Sequence, residues 1–253
     1  MDVGLAIVAN LSIANALAGI LARDGARPLI TQVWADGQRS ELSVRTFENN
    51  VAKAANLLQD DADAGPGSSI LLQLPLHWQH SVWLTAGALV GTLVHSTLDI
   101  EQKTDTQPMA AFVDEPRAHQ QFPFATYVVS LHPLGLPSGE IPSGTIDLAR
   151  EVRGFSDVFT AYESVEAGTP WLQREDEVLA QGEAVERAIE LARSLGLEPG
   201  GRLLVSGTVT PATILGLAAV PLALNASVVI CAVDADIDDI SRTERCTAAL
   251  ISG

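Results

Sequence analysis

Apolar residues recur along this chain in alternating helical and extended patterns. Ile7 to Ala22 carries a helical pattern that ends near Asp24-Gly25. Pro28 to Trp34 and Arg39 to Leu42 predict a short hairpin turned at Asp36-Gly37. Ser43 is placed to cap a helix running to about Asp60, with Phe47, Val51, Ala54, Ala55 and Leu58 on one buried face. The Ala64-Gly65-Pro66-Gly67 turn then feeds a buried strand from Ile70 to Leu74, a helix from Trp78 to Val90 and a strand from Thr92 to His95. Ala110 to Val113 and Thr126 to Ser130 predict two more strands with a brief helix between them. Leu131 to Gly144, rich in Pro, Gly and Ser, reads as a loop. Asp147 to Val152 reads as a helical turn and Gly154 to Arg174 as irregular. A helix is expected from Asp176 to Ser194, then a strand from Arg202 to Val205. Next come a helix from Pro211 to Leu224, with proline in its first turn, and a strand from Ser227 to Ala232. Asp236 to Arg245 predicts a short helix with acids at its positive end, and Thr247 to Ser252 a last strand.

This plan repeats. Val51 to His95 and Ala184 to Val228 both read helix, Pro-Gly turn, apolar strand, apolar helix and β-branched run, 133 residues apart. The alternation of strand and helix signals predicts an α/β fold with two similar lobes of mostly parallel sheet flanked by helices. The expected division is a first lobe over 1–144, a connecting segment over 145–174 and a second, shorter lobe over 175–253.

Composition narrows the function. A chain of 253 residues buries roughly 70–75% of its unfolded surface. The net charge of −16 argues against nucleic acid and against anionic membrane surfaces. Lys53 and Lys103 are the only lysines. Cys231 and Cys246 form no C-x-x-C and no Cys/His cluster, so neither a disulfide framework nor a structural zinc site is indicated. Val3 to Ala22 is free of charge, but Asn10, Ser12 and Asn15 interrupt it and Asp2 replaces a basic leader. A partly buried helix and a cytoplasmic protein are expected.

Several stretches resemble the adenylate-forming (AMP-binding) superfamily, which includes acyl-CoA synthetases, luciferases and peptide-synthetase adenylation domains. Arg27-Pro28-Leu29-Ile30 and Glu41-Leu42-Ser43 look like its strand-to-helix entry, and Val51 to Leu58 like its first long helix. Pro66-Gly67-Ser68-Ser69-Ile70 resembles its "PGDxV" turn, and Ala86 to Thr92 its "ALxxGA" helix end. Leu195 to Arg202 resembles "LGLxPGDR", and Pro221 to Val229 resembles "PLxxGAxVV". A set of short stand-alone proteins also shares the "LHPLGLP" run at Leu131 to Pro137 and the "EVR" at Glu151 to Arg153. The resemblance covers about four fifths of the chain and implies the N-terminal part of an acyl-CoA synthetase-like fold.

The chemistry of that superfamily needs backbone N–H groups that converge on the phosphates, with cations to balance their charge. The resemblance implies a Ser/Thr/Gly-rich loop ending in Pro-Lys-Gly, later ribose and adenine motifs, and a lid that supplies another lysine. Ser206-Gly207-Thr208-Val209-Thr210-Pro211 has similar lettering, but it follows the "LGLxPGD" helix instead of preceding it. By order the loop belongs near Ala167 to Arg174, which has one glycine and no lysine. The later motifs are expected beyond the second lobe. The resemblance therefore implies a truncated, catalytically degenerate relative that acts by binding or assembly, with no cofactor. The alternative is a small-molecule or nucleotide binder, or an acyl-adenylate enzyme with a non-standard site.

Such a site would lie in the crevice at the carboxyl ends of the strands, lined by Leu74 to His80, Leu131 to Gly139 and Ser206 to Thr210. Its candidate ligand-binding residues are His77, His132, Ser206, Thr208 and Thr210, with the ligand unidentified. His77 and His80 share a helix face but lack an HExxH pattern. Asp234, Asp236 and Asp238 fail as a calcium loop, since Asp239 stands where glycine is needed and Arg245 where glutamate is needed. Ser206 lacks the glycines of a nucleophile elbow. No catalytic or metal-ligating residue is indicated. Apolar surface left uncovered by missing parts would drive self-association into a two-fold homodimer.

Overall fold

Among the described residues, two serines open the first two helices. Ser12 Oγ accepts the Asn15 N–H at 3.2 Å and starts α1, Ile13–Asp24. Ser43 Oγ accepts the Thr46 N–H at 3.1 Å and starts α2, Val44–Asp60. Helix α2 buries Phe47, Val51, Ala54, Ala55 and Leu58, the face its spacing predicts. Helix α3, Trp78–Val90, ends at Gly91, whose φ of 84° needs glycine. The computed structural model describes residues 11–96, 106–174, 177–232 and 234–253. The expected first helical residues, Ile7 to Asn10, lie outside these, as do Lys103 and the expected helix start at Asp176.

The later helices are α4 (Leu148–Glu151), α5 (Gln181–Ser194), α6 (Pro211–Ala223) and α7 (Ile237–Thr243). The strands of the first half are β1 (Pro28–Val33), β2 (Arg39–Ser43), β3 (Ser69–Gln73), β4 (Leu93–His95), β5 (Ala110–Val113), β6 (Ala125–Val128) and β7 (Ile146–Asp147). Those of the second half are β8 (Pro170–Arg174), β9 (Glu177–Ala180), β10 (Arg202–Gly207), β11 (Ser227–Cys231) and β12 (Ala248–Ser252). Among the described residues they form two sheets, in the orders β7-β6-β5-β3-β4-β8-β9 and β12-β10-β11-β1-β2. Pairing is parallel except in the hairpins β1–β2 and β8–β9.

Sheet membership does not follow chain order. β1 pairs with β11 through Ile30↔Val228 and Val33↔Cys231, so the first hairpin completes the sheet built from residues 202–252. Arg39 and Arg202 both bond Glu244, at 2.7 and 2.6 Å, and tie that hairpin to its new neighbours. Helices α3 and α6 bury residues on every side. A helix apolar all round belongs inside a protein. These two pack on each other, and α3 also touches β1 of one sheet and β3 and β4 of the other.

Two expected elements differ. The stretch read as irregular, 154–174, ends in strand β8, which pairs with β4 through Val94↔Leu172. The helix expected from Asp176 begins only at Gln181, because Glu177–Ala180 is strand β9. Glu177, Leu179 and Ala180, which favour helix, are drawn into the sheet by cross-strand pairing together with β-branched Val178, with Leu179 buried and Val178 left 44% exposed. The Glu183 carboxylate then accepts the Ala180 N–H at 3.1 Å and starts α5.

This hairpin is fixed to α3 by two buried side chains. Trp171 Nε1 donates to the Leu84 carbonyl at 2.8 Å. Gln181 Nε2 donates to the Ala88 carbonyl at 2.8 Å, and its Oε1 accepts the Ile13 N–H at 3.0 Å. A single fully buried amide therefore satisfies the ends of two other helices. Gln181→Leu strands an N–H and a carbonyl, and the expected loss is roughly 2–3 kcal/mol of unfolding free energy in urea titration. Gln181→Glu, which keeps the acceptor, should lose less at low pH than at neutral pH.

Candidate functional site

The segment where a phosphate loop is expected, Ala167 to Arg174, is a closed turn. The Thr169 N–H donates to the Glu166 carbonyl at 3.0 Å, and the Glu166 N–H donates to Thr169 Oγ1 at 3.0 Å. The Gln181 and Gly182 N–H groups bond the carbonyls of Thr169 and Ala167 at 3.0 and 2.8 Å. Pro170, which has no N–H, then opens β8. The Glu166 and Thr169 N–H groups are thus directed at the turn's own chain, and an anion site needs such groups to converge outward.

The Ser206 to Thr210 stretch occupies a position that phosphates favour, between a parallel strand and a helix N-terminus. Here too the groups bond each other. Ser206 is buried and its Oγ donates to the Ala232 carbonyl at 3.3 Å. Thr208 Oγ1 donates to the Gly253 carbonyl at 3.4 Å, and Ser252 Oγ donates to the Thr208 carbonyl at 2.7 Å. The Thr210 N–H donates to Thr213 Oγ1 at 2.7 Å, while the Thr213 N–H donates to Thr210 Oγ1 at 3.2 Å. Thr210 thus caps α6, and Ser206 and Thr208 fasten β10 to its neighbours.

His77 and His132 both follow strands of the other sheet, and His77 lies near the Leu131 backbone next to His132. His77 caps α3, its Nδ1 accepting the Gln79 N–H at 3.2 Å. Its ring lies 6.2 Å from that of Trp34 and 5.5 Å from that of Trp78. Nε2 approaches the Leu131 carbonyl without a well-formed hydrogen bond. Burial drives the His77 pKa down to about 3, against a weaker opposing pull from Leu131. His80 is fully buried, with Nδ1 3.2 Å from the Pro75 carbonyl and Nε2 3.2 Å from Ser96 Oγ. Those partners suit a neutral ring that donates from Nδ1. Burial likewise pushes its pKa down to about 4.

His132 shapes the 131–139 loop. Its N–H donates to Ser130 Oγ at 3.2 Å, its Nδ1 accepts the Leu134 N–H at 3.1 Å, and its carbonyl accepts the Gly135 N–H at 2.8 Å. At Gly135 φ is 61°, and a Cβ there would lie 3.3 Å from the Trp78 ring and from Gln79 Nε2. The loop therefore closes down on the start of α3. Against it lies a cavity of about 260 Å³ whose lining includes Lys53, Trp78, Gln79, Trp83, Ser130 and Arg153. Lys53 and Arg153 were not among the residues singled out from the sequence. The rarity of lysine and the "EVR" run were the available signals. A larger groove of about 510 Å³ borders the Pro199-Gly200 turn, but its cations Arg23 and Arg193 share it with Glu198. Among the described residues no three His, Cys, Asp or Glu side chains group to hold a metal, and no helix is long and apolar enough to cross a membrane.

The paired sheets and the helices between them define an acyl-CoA synthetase-like, adenylate-forming-like fold. Acetoacetyl-CoA synthetase from Streptomyces lividans matches 96% of this chain with 42% of its own, at a TM-score of 0.75 and 17% identity. An acyl-CoA synthetase from Brucella canis matches 99% of this chain with 50% of its own, at a TM-score of 0.76 and 14% identity. At such identities the likeness shows the fold alone. In sequence, a Mycobacterium tuberculosis protein, named only for its membership of a protein family, is 34% identical over 133 residues. That match covers 49% of this chain and 51% of the mycobacterial protein, so the chain spans about half the length of the curated relative it matches. No family model matches the chain.

Proposed function

We propose that this protein is a catalytically degenerate relative of the adenylate-forming enzymes that acts by binding or assembly. One observation carries the reading: in both segments suited by order or lettering to cradle phosphates, hydroxyls and N–H groups are engaged in internal hydrogen bonds, those of Thr169 in one and of Thr210 and Thr213 in the other. The absence of lysine after residue 103 supports it, because phosphoryl chemistry needs cations placed at the phosphates. The likeness to acyl-CoA synthetases is one of scaffold, and a scaffold can outlive its chemistry. The test is pyrophosphate–ATP exchange over a broad panel of carboxylic acids, with calorimetry of ATP·Mg²⁺ binding alongside. Exchange at the blank rate and no saturable heat are expected. Exchange stimulated by any acid in the panel would refute the reading.

A further inference from the structure

The small cavity against the 131–139 loop has an unusual lining for so acidic a chain. The protein carries 31 Asp and Glu residues, yet none of the described residues lining this cavity is acidic. Two cations line it instead. Lys53, on α2, donates to the Phe155 carbonyl at 2.9 Å, and Arg153 lies in the short 3₁₀ turn Val152–Gly154. Neither forms an ion pair with a described carboxylate. Two indoles, those of Trp78 and Trp83, line it as well. Lys53 and Arg153 therefore give the polar lining a positive charge.

The remaining wall is apolar and rigid. Trp83 stacks on Phe112 at 4.6 Å between ring centroids, and Phe112 stacks on Tyr127 at 4.9 Å. Val82, Val129 and Leu148 complete the wall, and Gly135 packs close to the Trp78 ring. At about 260 Å³ the space falls just below the roughly 300–1,000 Å³ typical of drug-sized sites.

We propose that this cavity binds a small organic anion. A single oxyanion head group, whether carboxylate, sulfonate or phosphate ester, takes the charge of Lys53 and Arg153. A short planar or aliphatic body lies against Trp78 and Trp83. The site belongs to the seven-stranded sheet and is separate from Ser206 to Thr210. It does not rest on the loss of adenylation, and a chain that made acyl adenylates could still contain it.

The experiment is titration of the intact protein, without ATP, by calorimetry and tryptophan fluorescence. The probes are benzoate, benzenesulfonate, phenyl phosphate, inorganic phosphate and benzyl alcohol. At least one aromatic anion should bind at one site per chain and change the fluorescence, and the preferred head group identifies the source chemistry. Benzyl alcohol should bind roughly tenfold or more weakly, the difference expected for a charge-assisted contact. Arg153→Met, at an exposed position that should not disturb folding, should weaken the anion about tenfold. Lys53→Met should do the same. Asn225→Ala, in the other groove, should leave binding unchanged. The proposal is overturned by no binding of any aromatic anion at millimolar concentration, by equal binding of the alcohol, or by inorganic phosphate binding as tightly as the aromatic anions. Unchanged affinity in Arg153→Met also overturns it.

Discussion

Lowering the pH from 7 to 5 is expected to cost this fold about 4 kcal/mol of stability, well before its carboxylates are protonated. The cause is a pair of buried histidines. His77 and His80 are held neutral by burial, with pKa values pushed down to about 3 and about 4 from 6.5. The unfolded chain takes up a proton at each near pH 6.5, and the folded chain refuses it until much lower pH. The unfolded state thus binds more protons throughout this window, and stability falls with pH. It is fully present above about pH 6.5 and declines toward the folded pKa values, at about 1.4 kcal/mol per pH unit for each ring. His95, also shifted down by burial, acts in the same direction. Glu244 acts lower on the scale, since its hydrogen bond from Arg39 keeps its pKa below the ordinary carboxylate range. Urea unfolding at pH 7, 6 and 5 measures the slope. Whatever its starting stability, His80→Asn should lose about 2 kcal/mol less than the native chain between pH 7 and 5. A native slope near zero would show that the two rings are protonated or solvated in the folded state.

The same pair shows what the sequence could reveal. Their spacing placed His77 and His80 at the start of a helix, and α3 begins at Trp78 as the pattern predicts. Local signals of this kind are carried by neighbouring residues: the Ser43 cap, the Asp36-Gly37 turn, the glycine after α3. Partnership is not. The apolar run Leu29-Ile30 shows that β1 is buried, but periodicity does not say which sheet buries it, and β1 joins β11 nearly two hundred residues away. Glu177, Leu179 and Ala180 favour helix, and pairing with β8 makes the segment a strand. The cavity was hidden for the same reason. Lys53 and Arg153 are far apart in the chain, and they approach because Lys53 bonds Phe155, two residues beyond Arg153.

Gly207→Ala should be among the most damaging single changes in the chain, at about 3 kcal/mol from backbone strain plus steric overlap. Gly207 ends β10 with φ at 111°, a region that residues with a Cβ avoid. It pairs with Ser252 of β12, and a Cβ at this glycine would lie 1.9 Å from the Ser252 carbonyl oxygen and 2.5 Å from Ser252 Oγ. Neither atom belongs to a long side chain that could swing aside. The steric part can be relieved only by peeling the end of β12 away, which breaks the bond from Ser252 Oγ to the Thr208 carbonyl. The dihedral strain remains even then. Two measurements therefore move together: the urea midpoint falls, and the amides from Leu250 to Ser252 lose hydrogen-exchange protection. Gly168→Ala is the control, because a Cβ there meets nothing within 4 Å and its φ is unexceptional; a change within about 0.5 kcal/mol is expected. If Gly207→Ala kept both the midpoint and the β12 protection of the native chain, the close approach of β10 to Ser252 would be wrong. With it would go the argument that the Ser206 to Thr210 loop is closed on itself.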